Sequence, residues 1–242
     1  MDFFDVVRNR RSIRNFKTDP LPEGALEKIL GAARFTMSGG NGQPWEFIVV
    51  TKQETKEKLG EMYVQQARKR ACILEATREP EYRHNMFKKF YPNPPGWQNA
   101  PALVVVCGDL RTFMATVTTG YFYRGDGAMN GTYLMNVGNA SHMICLAAAA
   151  LGLGTEWVSV ESMWESMAKR LLKVPDELTI HNLVAIGYSA YQPAAPYRRE
   201  LDEIVHHEEY DHSKYRTEEK ILEFLRLLRA KTKPAYDDYF LK

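Results

Sequence analysis

An α+β fold follows from two features of this sequence. Helical and strand-like apolar patterns are mixed without a strict β–α–β alternation, and no internal repeat organises them. The material for a core is ample. The 242-residue chain is 45% hydrophobic and 26% charged, and its length fits one fairly large domain, with or without an appended segment.

Asp2 reads as the N-cap of a short helix over residues 2–9, with Phe3, Val6 and Val7 on one face. Arg10-Arg11-Ser12-Ile13-Arg14-Asn15-Phe16 follows, a cluster of guanidinium groups around one hydroxyl. Arginine presents a planar fork of donors that matches phosphate oxygens two at a time and stays charged at any working pH. Arg10 and Arg14 are one helical turn apart, so in a helix or turn they would converge on one anion. A solvated basic patch at a helix end is the other reading.

Leu21-Pro22-Glu23 opens a second helix, in which Leu26, Ile29, Leu30 and Ala33 recur at helical spacing. The loop from Met37 through Ser38, Gly39, Gly40, Asn41, Gly42, Gln43 and Pro44 to Trp45 leads into a strand at Glu46–Val50. Its glycines allow a backbone to approach a ligand with its N–H groups turned toward it. A plain helix–strand connection needs one glycine, and would not also ask for Ser, Asn and Gln.

Residues 53 to about 70 read as a polar-faced helix, and residues 75–99 as a long irregular insertion of the kind that faces substrate. Leu103–Cys107 is a buried strand. Residues 111–127 are ambiguous, and their Tyr121, Phe122 and Tyr123 suit either a pocket for a flat ligand or plain core packing. Asn130–Leu151 is the clearest helix; its alanines at 147–150 suit a central helix or a dimer interface, and Gly152 and Gly154 mark its end. A strand or extended turn at Thr155–Val160, a helix at Ser162–Leu172 and a strand at Leu178–Tyr188 complete the alternation. The Tyr191–Arg199 segment is proline-rich and ends in Arg198-Arg199; a last helix over residues 218–230 carries Ile221, Phe224, Leu225 and Leu228 on one face.

Several function classes are disfavoured. A net charge of +2 gives no general nucleic-acid or membrane footprint, and no apolar run is long enough to span a bilayer. The start Met1-Asp2-Phe3-Phe4-Asp5 lacks the pattern of a signal peptide, and Cys72, Cys107 and Cys145 are odd in number and unpaired in spacing. Reduced, largely buried thiols and a cytoplasmic setting are expected. His206-His207 with Glu208, Glu209 and His212 lacks a second cluster to complete a coordination shell, and no metal is expected there. Neither a Gly-x-Gly-x-x-Gly after a strand nor a Gly-x-Ser-x-Gly is present.

Three stretches taken in order carry a resemblance: Arg10-Arg11-Ser12-Ile13-Arg14, then Ser38 through Trp45, then Gly152-Leu153-Gly154-Thr155. The chain resembles the nitroreductase family of FMN-dependent oxidoreductases. The tail from Ile186-Gly187-Tyr188 through Arg198-Arg199-Glu200-Leu201 to Val205-His206 is similar to that family's C-terminal signature. The match covers roughly residues 3–75 and 100–210. The insertion at about 75–99 and the tail beyond about 211 fall outside it, and the expected division is a domain over residues 1–210, interrupted by the insertion, and a helical extension over 211–242 that packs on the domain or on a partner subunit.

The resemblance implies a mixed central sheet flanked by helices, in an intertwined homodimer with FMN at the interface. By similarity Arg10, Ser12 and Arg14 hold the flavin phosphate and ribityl chain, and Arg11 and Ile13 contribute charge or backbone. Arg198 or Arg199 adds a second cation to the same dianion. Ser38, Gly39, Asn41 and Gln43 resemble the loop that reaches the flavin, often from the partner subunit. Trp157, Val158 and Ser159 occupy the place where relatives pass behind the ring, and Ser159 is the candidate catalytic contact to flavin N5.

The activity implied is ping-pong hydride transfer from NAD(P)H to a flat aromatic acceptor such as a nitroaromatic or quinone. At Ser159 one branch of the family carries a proline-x-glutamate-glycine turn instead. The hydroxyl is more like the branch of dehalogenases and of the enzyme that fragments flavin to dimethylbenzimidazole. Storage or sensing of FMN without turnover is a further alternative.

Overall fold

A computed structural model describes residues 2–77, 94–118 and 128–228 of the chain. The chain divides into two compact units, residues 1–192 and 193–242. The Tyr121–Tyr123 aromatics and residues 78–93 of the expected insertion lie outside the described residues.

In the first unit, among the described residues, four strands form one sheet: β1 (Trp45–Val50), β2 (Ala102–Asp109), β3 (Gly154–Ser159) and β4 (Leu178–Gly187), in the order β1-β2-β4-β3. All three pairings are antiparallel. The parallel component expected of a mixed sheet is confined to an isolated bridge between Ser12 and Thr155. The helices are α1 (Phe3–Asn9), α2 (Ala25–Ala33), α3 (Gln53–Ala76), α4 (Leu110–Thr118), α5 (Ala128–Ala150) and α6 (Ser162–Leu172).

Both faces of the sheet are covered, which is why β2 reads as an unbroken apolar run rather than an alternating one. On one face Ile29 and Ala33 of α2 and Val137, Ile144 and Ala148 of α5 pack on Val104, Val106, Val184 and Ile186. On the other, Leu59 of α3 with Trp164 and Ala168 of α6 pack on Leu103, Val105, Leu183 and Ala185. Each large aliphatic side chain fully buried here is worth roughly 1.5–3 kcal/mol. Polar pins fix the register of the helices. Trp164 Nε1 donates to the Leu59 carbonyl at 3.1 Å, and Glu161, just before α6, accepts from Gln66 and Arg70 of α3. Buried Ser141 of α5 and Asn182 of β4 bond each other under the sheet.

Three local expectations need correction. Asp2 stands at the N-cap of α1 without a side-chain bond, and only Val6 of that helix is buried. Phe3 and Val7 stay exposed, with Phe4, because no other described element covers that side. Cys107 and Cys145 are buried, whereas Cys72 is exposed on α3, which continues to Ala76 rather than ending near Arg70. Helix α2 starts at Ala25, after a turn centred on Glu23 and Gly24, rather than at Pro22. No helix among the described residues is long and apolar enough to cross a membrane.

The end of α5 shows how sequence sets a junction. Gly152 takes φ 77°, the Leu153 N–H reaches back to the Ala148 carbonyl at 2.9 Å, and the chain turns into β3. Two residues on, a Cβ at Gly154 would overlap the Ile13 side chain.

The second unit, described through residue 228, is built of short turns. Glu200 and Glu203 cap one reciprocally, and Asp211 caps another by accepting from Ser213 N. Helix α7 (218–228) brings Phe224 against Tyr197, with Arg216 over the Phe224 ring at 5.0 Å; Ile221 and Leu225 remain exposed.

Gly154→Ala is expected to destabilise the protein by about 1–3 kcal/mol through this overlap. Urea unfolding checks it, and an unchanged midpoint would show that Ile13 yields freely.

Candidate functional site

The arginine cluster is extended, not helical. Arg10 ends α1 with φ −56° and ψ 131°, Ser12 bridges Thr155, and the Ile13 N–H donates to the Thr155 carbonyl at 2.9 Å. Further on, Phe16 bridges Ser189, and Lys17 N donates to the Tyr188 carbonyl at 2.9 Å. The segment is thus stitched first along the outer edge of β3 and then to the continuation of β4. In an extended chain successive side chains alternate, so Arg10, Ser12 and Arg14 share a side by period two rather than by a helical turn. Ile13 and Phe16 are buried, Ser12 is exposed and both flanking arginines are half-buried.

Helix α5 supplies the wall beside this edge. The Thr155 hydroxyl hydrogen-bonds the Cys145 thiol, and the Trp157 ring lies 3.9 Å from where a Cβ on Gly138 would stand. Gly138, His142 and Cys145 fall on one stripe of α5. Arg10 acts electrostatically on both His142 and Cys145, so its guanidinium lies within reach of that stripe. Among the described residues the Arg10 guanidinium makes no hydrogen bond or ion pair. Trp157, 41% exposed, and exposed Ser159 continue the line along β3.

Other predicted site residues are placed differently. Arg11 turns back and donates to the Arg8 and Arg10 carbonyls, at 2.5 and 2.9 Å, closing the end of α1. The Ile13 and Val158 side chains are core, leaving only backbone to a ligand. Arg198 Nη1 donates to the Tyr197 carbonyl at 3.0 Å and Arg199 Nη2 to the Glu203 carbonyl at 2.5 Å, both within the second unit.

In the 38–43 loop the N–H groups of Asn41, Gly42 and Gln43 bond to Ser38 O, Gly39 O and Ser38 Oγ, and that of Gly39 points to Asn136 Oδ1 at 3.4 Å. These N–H groups serve the loop itself, contrary to the expectation that they face a ligand. Its glycines serve close packing as well: a Cβ at Gly40 would meet the Thr116 carbonyl at 3.1 Å, and one at Gly42 the Thr116 hydroxyl at 2.5 Å. Asn41 and Gln43 both take positive φ, at 53° and 46°, a strained state for a residue with a side chain.

The loop packs on α5 near Thr132 and Asn136, whereas Arg10 acts on His142 and Cys145, further along that helix. At 1.5 Å per residue that is a separation of about 9 Å or more along the helix. Two surface hollows, of about 500 and 360 Å³, share no residue with either stretch.

The sequence reading missed three residues. Asn136 is 5% exposed and its Nδ2 has no partner among the described residues. His142 stands in the stripe itself. Glu156 points to the opposite face of β3 from Trp157; its Oε2 is buried without a partner among the described residues. Burial pushes its carboxyl up to about 7, against the opposing pull of Arg14. Polar residues inside an otherwise apolar helix, and a carboxylate inside an apolar strand, were the available signals. Among the described residues no group of three or more His, Cys, Asp or Glu side chains is placed to hold a metal.

The model of the Nitroreductase family matches residues 7–188. This chain belongs to the nitroreductase family. It is 30% identical over 210 residues to an NADH dehydrogenase of Thermus thermophilus, covering 85% of this chain and 95% of that protein. It is 28% identical over 187 residues to the 5,6-dimethylbenzimidazole synthase of Rhodospirillum rubrum, covering 77% and 82%. Among solved structures an FMN-dependent nitroreductase of Clostridium difficile shares the fold, with a TM-score of 0.58 at 23% identity over 86% of this chain and 99% of that one. Family membership makes the α+β fold nitroreductase-like.

Glu156 yields a stability prediction. An acid whose pKa is raised by folding favours the fold fully below its unfolded pKa, and that contribution is lost as pH rises through the folded value. With Glu156 moved from 4.5 to about 7, ionising it in the cofactor-free fold costs up to roughly 3 kcal/mol. Glu156→Gln is therefore expected to stabilise the protein at about pH 8 and to change little at about pH 4.5. Urea unfolding at both pH values tests it; an equal effect at both would place the carboxyl outside the low-dielectric site.

Proposed function

We propose that this nitroreductase-family chain is an FMN-dependent NAD(P)H oxidoreductase that acts as a homodimer and reduces a flat aromatic acceptor, a nitroaromatic or quinone. One observation carries the reading: a half-buried Arg10 guanidinium, without an anion among the described residues, beside exposed Ser12 at the edge of β3. A half-buried cation without a counter-charge is disfavoured unless an anion completes it, and a phosphate monoester matches the arginine fork. The residues fit such a group. Arg10, Ser12 and Arg14 would hold the phosphate and its chain, with Arg198 or Arg199 as a further cation. The exposed Trp157 and Ser159 would line the ring, Ser159 donating a hydrogen bond to it. FMN, when bound, supplies the hydride chemistry, taking a hydride from NAD(P)H and passing it to the acceptor in a second half-reaction. The chain's own task is to bind, orient and exclude water.

The homodimer is supported by unpartnered apolar surface. Phe3, Phe4 and Val7 of α1, Phe35 and Met37 ahead of the loop, and Leu134 and Met135 of α5 are all exposed. A second copy covering them would also bring its own Ser38–Gln43 loop toward the other chain's arginines. Asn41 and Gln43 would then offer side-chain amides to the ring.

A second reading, flavin fragmentation, is favoured by Ser159 in place of the proline turn and by the likeness to the dimethylbenzimidazole synthase. Anaerobic addition of NADH or NADPH separates the two. Rapid bleaching of protein-bound flavin, with sustained turnover once an aromatic acceptor is added, supports the oxidoreductase. Flavin that stays oxidised, or is consumed in air, supports fragmentation.

Arg10→Ala is expected to weaken FMN binding by roughly ten- to a hundredfold, the worth of one or two charge-assisted hydrogen bonds. Flavin fluorescence measures it. An unchanged affinity would move the phosphate elsewhere.

A further inference from the structure

We propose that His142 is a further binding residue of this site, an imidazolium that joins Arg10 on the phosphate monoester so that binding takes up a proton. The inference rests on the reading above that a phosphate-bearing flavin occupies this edge.

Helix geometry places His142 on the face of α5 that packs against β3. Trp157 meets α5 at Gly138 and Thr155 meets it at Cys145. His142 lies four residues after the first contact and three before the second, on the same stripe. The Ser12–Thr155 bridge fixes where the arginine segment runs, and Arg10, two residues earlier, lies within electrostatic reach of His142. His142 is exposed, so a ligand can reach it.

The charges around it are few. Partial burial of the ring, and after it the charge of Arg10, push the imidazole pKa below the usual histidine value. On α1, Asp5 and Arg8 pair with each other at 3.9 Å, and Arg11 is turned onto backbone carbonyls. On α5, burial pushes the Cys145 thiol up, so it stays neutral. On β3, Glu156 points to the other face.

Without a ligand His142 is therefore neutral at about pH 7. A phosphate carries about −1.5 to −2 charges at neutral pH, more than Arg10 alone can offset. Set between the two side chains, it turns the field at the imidazole from positive to negative and raises its pKa. The balance is one proton taken from water for each phosphate bound, with no bond broken. Arg198 and Arg199 would add affinity without pH dependence in this range, because guanidinium does not titrate there. The imidazole is therefore separable from both.

The test measures FMN and riboflavin affinity of wild type and His142→Asn by fluorescence between about pH 5.5 and 8.5. FMN changes its own ionisation near pH 6, so the quantity read is the ratio of the two proteins' Kd values at each pH. The variant is expected to bind FMN about five- to tenfold more weakly at about pH 6 and equally at about pH 8.5, with riboflavin bound alike by both throughout. In the wild type, the His142 ring signals in NMR should titrate at higher pH with FMN than without.

A Kd ratio that does not change with pH, or a His142 titration that FMN leaves in place, overturns the inference while leaving FMN binding intact. Absence of FMN binding by the wild type overturns both this inference and the cofactor reading. His142→Asn lies at an exposed position, and an unchanged circular dichroism spectrum confirms that it folds.

Discussion

One backbone hydrogen bond, from the Ile13 N–H to the Thr155 carbonyl, sets the geometry on which the site depends. It lays the arginine segment along the otherwise open edge of β3, where an unpaired strand would invite pairing with another chain. It also fixes phase. With Ile13 locked into the core, its neighbours Ser12 and Arg14 must turn outward, and Arg10 falls on the Ser12 side. The fit is tight because Gly154, next to Thr155, has no Cβ where the Ile13 side chain lies.

The same bond divides β3 into two chemically distinct faces. Thr155 and Trp157 turn toward α5 and share that side with Arg10 and His142. Glu156 and Val158 turn toward the Trp97–Trp164 core, where a carboxylate has little solvent and burial outweighs the pull of Arg14. A positive field on one side and a destabilised carboxyl on the other, across a single strand, need no long-range electrostatics. Alternation along an extended chain is enough.

The 38–43 loop draws on the opposite strategy. Its conformation is held by its own hydrogen bonds and by Thr116 and Asn136, against the strain of positive φ at Asn41 and Gln43. A loop held strained and pre-ordered loses little entropy when its side chains engage a ligand, which is the use such strain finds at binding sites. Among the described residues its packing runs to α4 and α5.

Composition and period determined the strands and most helices of the first unit, but left α4 ambiguous and misplaced the start of α2 and the end of α3. Leu103–Cys107 is a strand because both its faces are covered, and Ser162–Leu172 is a helix that stops short of Val174-Pro175. The motifs Arg10–Arg14, Ser38–Trp45 and Gly152–Thr155 were likewise legible, because glycine and arginine carry conformational and chemical demands that few other residues meet. Tertiary structure alone decided what those motifs do. Whether Arg10–Arg14 coils or extends depends on the carbonyl of Thr155, 142 residues further on, which no local propensity encodes. Arg11 caps a helix, and Gly40 and Gly42 make room for Thr116. Asn136, His142 and Glu156 acquire roles only from what is folded against them. Local sequence sets the backbone's period; the direction in which a charged side chain finds its partner is fixed only when distant strands and helices meet.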